Sequence, residues 1–110
     1  MNLPGGDAAI VEVAKLREYC LNPQHPRGRH KARVFAAALG LAPSDAEFLR
    51  GALLQAAREA DAVTGESDQF GDRFTIEFEV HRGNRRARIR SAWIVLRSET
   101  APRLTSCFVI

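Results

Sequence analysis

The chain has 110 residues, of which 45 % are hydrophobic and 26 % charged, and its formal net charge is +3. This composition fits one globular domain with a modest core and excludes a disordered or collagenous chain. No apolar run reaches membrane-spanning length, and residues 1–7 lack the basic start and apolar stretch of a signal peptide, so a cytoplasmic protein without membrane contact is expected.

Residues 1–8 read as a flexible N-terminus, broken by Pro4-Gly5-Gly6, and residues 9–110 as a single domain. Val13, Leu16, Cys20 and Leu21 recur at helical spacing and predict a first helix that stops at Asn22-Pro23. The loop to Gly28 follows. Ala32, Phe35, Ala36 and Leu39 then form the buried stripe of a second helix over about 29–39, with Gly40 placed to cap its C-terminus. Ser44 and Glu47 have the spacing of a capping box at the start of a third helix, whose stripe is Leu49, Leu53, Ala56, Ala57 and Ala60. The second and third helices together suggest an α-hairpin.

After Asp61 the period changes to that of strands. Residues 62–65 suggest a short strand, and Phe74, Ile76, Phe78 and Val80 alternate with polar residues. Gly83-Asn84 suits a two-residue hairpin turn, and its return strand runs from Arg85 to about Leu96. With that turn, Phe78 faces Ile89, Ile76 faces Ser91 and Phe74 faces Trp93. On the other face Glu79 meets Arg88, and Glu77 meets Arg90. A last strand begins at Arg103 after Pro102. The expected fold is therefore α+β: about three helices in the N-terminal half, packed on a three- to four-stranded, mainly antiparallel sheet.

Charge is unevenly distributed. Residues 19–44 hold four basic residues and no acid, residues 80–98 hold six and again no acid, and the stretch between them is acidic. Two basic blocks suggest an anionic partner, either RNA or an acidic protein, unless the acidic stretch neutralises them. Arg82, Arg85 and Arg86 have no evident partner and read as solvated charge at a hairpin tip. Cys20 and Cys107 sit in apolar contexts and read as reduced core thiols.

The histidines have no metal-ligand spacing, and neither a phosphate-cradling glycine loop nor a nucleophile elbow is present. No metal or cofactor is expected. The remaining set is His25, His30, Lys31, Arg27, Arg90 and the hydroxyls of Thr75, Ser91 and Thr105. It suits metal-independent RNA cleavage, in which a ribose 2′-hydroxyl attacks the adjacent phosphate, a histidine moves a proton, and Lys or Arg holds the charge. Each residue also has a plainer reading. His25 would fix its loop, His30 would be solvated, Lys31 would cover apolar surface, and Trp93 would be core rather than a base-stacking platform.

The segment from Lys15-Leu16 through Tyr19, Leu21-Asn22-Pro23, His25-Pro26, Gly28 and Lys31-Ala32 to Phe35 resembles the bacterial DUF6883 family. Phe70-Gly71-Asp72-Arg73-Phe74, Ser91-Ala92-Trp93-Ile94-Val95 and Pro102-Arg103-Leu104-Thr105-Ser106-Cys107-Phe108 resemble its later blocks. Domains similar to this family occur at the C-termini of polymorphic toxins, and its helices-then-sheet order looks like that of barnase-, colicin- and RelE-like ribonucleases. The resemblance points to His25, Gly28, Lys31, Arg73, Ser91, Trp93 and Thr105. Taken with the bases and cations above, it leads to a toxin-type ribonuclease with His25 as acid or base and with Lys31 and Arg90 on the phosphate. Arg27, His30, Arg73, Trp93 and Thr105 would contact substrate, Trp93 or Phe70 stacking a base, and an acidic antitoxin or immunity protein would be the cognate partner. The competing reading is a non-catalytic module that binds an acidic protein.

Overall fold

The computed structural model describes residues 1–110. It contains three helices, α1 (Val13–Lys15), α2 (Arg29–Leu39) and α3 (Ala46–Glu59), ahead of four strands, β1 (Ala62–Ser67), β2 (Gly71–Arg82), β3 (Arg85–Leu96) and β4 (Arg103–Val109). The sheet is antiparallel throughout, in the order β1-β2-β3-β4. The fold is α+β, with the helices on one face of the sheet. No helix is long and apolar enough to cross a membrane.

α1 continues directly into a π-turn, Leu16–Cys20. A π-turn carries more residues per turn than an α-helix. Leu16, Cys20 and Leu21 therefore all reach the core, each at most 2 % exposed, and the Leu21 amide donates to the Leu16 carbonyl at 2.9 Å. α2 ends as its sequence predicts: Gly40 adopts φ 67°, and the amides of Gly40 and Leu41 donate to the carbonyls of Ala36 and Phe35. The next helix start differs from expectation. The Asp45 carboxylate, not the Ser44–Glu47 pair, reaches back to accept the Ala42 amide at 2.8 Å. Pro43–Asp45 forms a 3₁₀ turn that shifts the first helical residue past Ser44. α2 lies over β3 and β4, whereas α3 packs on β2, α1 and the N-terminal turn Gly6–Ala8. The N-terminus is not loose. Leu3 is a core residue, and the Met1 carbonyl accepts the Ala62 amide at the start of β1.

The β2–β3 register is the expected one, from Arg82 opposite Arg85 to Gly71 opposite Leu96. Of the two turn residues only Gly83 has positive φ, which suits a turn of the II′ kind with glycine first. The register sends Ser91 and Trp93 inward. Trp93 is fully buried, and Ser91 is the one polar side chain in the core. The Trp93 indole N–H donates to Ser91 Oγ at 2.9 Å, and Ser91 Oγ donates to the Ile76 carbonyl at 2.9 Å. A buried indole N–H without an acceptor would be costly, so Ser91 is required because Trp93 is inside. Cys20 and Cys107 are free thiols buried together. Cys107 keeps its proton well above the ordinary thiol range, because its thiol hydrogen-bonds with Cys20 and because burial disfavours its thiolate.

Arg86 is solvated as expected, but the other two arginines at the hairpin tip are not. Arg82 Nη1 donates to the carbonyls of Leu39 and Gly40 at 3.2 and 2.7 Å, and Arg82 Nη2 bonds Asp45 Oδ1 at 2.9 Å. Arg85 Nη1 donates to the carbonyls of Ala36 and Ala37. Both cations thus sit at the negative end of α2 and satisfy its leftover carbonyls. Ser91→Ala is expected to lower stability by about 1–3 kcal/mol, because it strands the Trp93 N–H; urea denaturation of the two proteins measures the difference.

Candidate functional site

The loop from Asn22 to Gly28 is held by short-range bonds. Asn22 Oδ1 accepts the Gln24 amide at 2.9 Å. His25 Nδ1 accepts the amides of both Arg27 and Gly28, each at 3.1 Å. An accepting Nδ1 carries no proton, so the neutral ring has its hydrogen on Nε2. The ring is half-buried and meets Tyr19 edge-on, with centroids 4.4 Å apart. Gly28 lies against the same turn, where an added Cβ would stand 2.4 Å from the Tyr19 carbonyl oxygen. The Asn-Pro-x-His-Pro-x-Gly block is therefore a clamp that docks the α2 N-terminus on the π-turn.

Past the clamp, Arg27, Arg29, His30 and Arg33 are all exposed. None of the four forms an ion pair. Lys31 turns the other way, toward the β4 edge. Its Nζ lies 4.8 Å from the centre of the Phe108 ring, and the Arg90 guanidinium lies 5.9 Å from the same centre. Such contacts contribute about 0.5–1 kcal/mol each at exposed sites. Lys31 and Arg90 thus converge through Phe108, a residue the sequence reading did not single out. Its signal was available, since Arg90 and Phe108 are register partners in β3 and β4.

The remaining expected contacts are committed elsewhere. Arg90 bonds Glu77 at 2.7 and 2.9 Å, and Arg88 approaches the same carboxylate at 3.6 Å. The Arg90 hydrogen bond and the charges of both arginines hold Glu77 below the usual carboxylate range. Glu79 pairs with His81 at 2.8 Å rather than with Arg88. Arg73 is bonded to Asp68 at 2.7 Å. The Thr105 hydroxyl donates to the Ala92 carbonyl at 3.1 Å, at the point where β4 carries an extra residue. Trp93 cannot stack a base, because it is fully buried. Phe70, the other stacking candidate, is 60 % exposed, but it lies at the turn before β2.

Three grooves mark the surface. One of about 620 Å³ runs between α3 and β2. One of about 490 Å³ lies on the outer sheet face and includes Arg88 and Arg90, and one of about 320 Å³ lies beside the N-terminal turn. Neither His25 nor Lys31 lines any of them. No three His, Cys, Asp or Glu side chains gather as a metal site.

Residues 2–110 match the model of a family described as a domain of unknown function, DUF6883. The chain belongs to the DUF6883 family. No curated protein and no solved structure matches it. In this DUF6883 domain the motif residues His25, Gly28, Ser91 and Trp93 hold the fold. Arg27, Arg29, His30 and Arg33, at positions between them that the motif leaves free, are presented to solvent by it. His25→Ala is expected to lower stability by about 1 kcal/mol, as the loss of a capping acceptor does. It should also speed hydrogen exchange at the Arg27 and Gly28 amides, which NMR measures directly.

Proposed function

We propose that this domain is a non-catalytic interaction module whose basic face, Arg27, Arg29, His30 and Arg33, docks an acidic protein. The observation that carries this reading is the contrast between two sets of cations. Arg82, Arg85, Arg90 and Arg73 are each bonded to a carbonyl or a carboxylate. Arg27, Arg29 and Arg33, in the loop and first turns of α2, are exposed and form no ion pair, on a backbone that is clamped in place. Fixed, unneutralised charge steers an oppositely charged surface and orients it, and a rigid presenter loses little entropy on binding. An antitoxin or immunity protein with an acidic surface is one partner of that chemistry.

The ribonuclease reading retains two supports: Lys31 and Arg90 share the Phe108 ring, and His25 Nε2 makes no hydrogen bond within the chain. Against it, a phosphate at Arg90 would sit beside the Glu77 carboxylate, and none of the three grooves described joins His25 to that position.

Affinity of the chain for labelled poly-glutamate, a probe for an acidic protein surface, tests the proposal. The triple variant R27E/R29E/R33E should weaken binding by roughly 100-fold, in line with several charge contacts, and wild-type affinity should fall steeply as salt rises. Binding that is indifferent to the triple variant and to salt would overturn it.

A further inference from the structure

A second surface, of opposite charge, lies on the far side of the sheet from β4. β1 pairs with β2 only as far as Ala62 opposite Ile76. β2 continues to Arg82, so its last residues have no strand on that side. Their orientation follows from the ladder. The Arg97 amide donates to the Phe70 carbonyl, and the Ile110 amide to the Arg88 carbonyl. Even-numbered β2 residues therefore bond β3, and odd-numbered ones point away from it. The backbone groups of Glu79 and His81 thus face the open side, and no loop or side chain bonds them there.

This edge forms one wall of the groove of about 620 Å³, and α3 forms the other. The floor is apolar, with Phe48, Ala52 and Phe78, and Phe48 is 39 % exposed. The rim carries the carboxylates of Glu47, Glu59 and Glu79. The only basic side chain lining it is His81, already bonded to Glu79, and Arg82 at its end is tied to Asp45. An unpaired strand edge is a template that proteins usually blunt with lysine, proline or a covering loop. Here the edge is left open beside exposed apolar surface and negative charge.

We infer that this groove binds an extended, basic segment of a partner protein by strand addition to β2. The segment would lie antiparallel or parallel in the position β1 vacates and exchange backbone hydrogen bonds with Glu79 and His81. It would turn apolar side chains toward Phe48 and Ala52 and cationic ones toward the rim. The open edge favours an extended occupant over a helix, and the three carboxylates select a basic one over an acidic one. This surface is distinct from the basic face of α2 and does not depend on it.

The probe is a labelled peptide of about seven residues alternating valine and lysine, long enough to span a typical strand, tested on the full chain. The inference expects binding about tenfold tighter than that of the valine–glutamate analogue, and reversal of that preference in E47K/E79K. N-methylation of alternate amides should abolish binding in one phase and spare it in the other, because only one phase donates to β2. At saturation the Glu79 and His81 amides should exchange about tenfold more slowly, with Phe78 and Val80 unchanged. Three results would each overturn the inference: no binding at about 1 mM, binding that ignores the methylation phase, or saturation without protection of Glu79 and His81.

Discussion

The structure depends most on the register of the β2–β3 hairpin, fixed by a two-residue turn at Gly83-Asn84. A slip of one residue would turn every side chain of a strand to the opposite face. In the observed register Ile76, Ile89 and Trp93 enter the core and Glu77, Arg88 and Arg90 leave it. Ser91 arrives beside Trp93 and across from Ile76, so one hydroxyl serves both the indole N–H and the strand carbonyl. The hydrogen bonds and the hydrophobic core thus specify the same pairing.

The same register sets the basic face. It carries the hairpin tip out over the C-terminus of α2, where Arg82 and Arg85 bond the helix carbonyls and Arg82 ties them to Asp45. The other end of α2 is fastened by His25 and by the contact between Gly28 and Tyr19. A helix fixed at both ends holds Arg29 and Arg33 in one orientation. The molecule is polarised as a result, with unpaired cations at the start of α2 and carboxylates along α3 and the adjoining edge of β2.

Much of this was legible in the residues. The bounds of α2 and β3, the Gly40 cap and the β2–β3 register follow from periodicity and turn chemistry, which are local. What was not legible is long-range. Arg82 and Arg85 read as solvated charge because the nearest carboxylate, Glu79, is already matched to Arg88, and their acceptors are backbone carbonyls more than 40 residues away. Glu79 was matched to Arg88 by register alone, but His81, two residues on along the same face, reaches it instead. The N-terminus reads as loose from its glycines, yet Leu3 lies in the core, and the Ala62 amide at the start of β1 donates to the Met1 carbonyl beside it. Trp93 reads first as core and second as a base-stacking platform, and its burial decides for core.

The central claim is that the Asn22–Arg33 segment presents charge to a partner and moves no proton. The most direct measurement is incubation of the purified chain with total RNA in chelator, with fragment ends assayed for 2′,3′-cyclic phosphate. The account predicts no fragmentation above the buffer control, and an identical result for a folded His25→Ala protein. Fragments ending in cyclic phosphate, produced by the wild type and absent with His25→Ala, would contradict it and make His25 a catalytic residue.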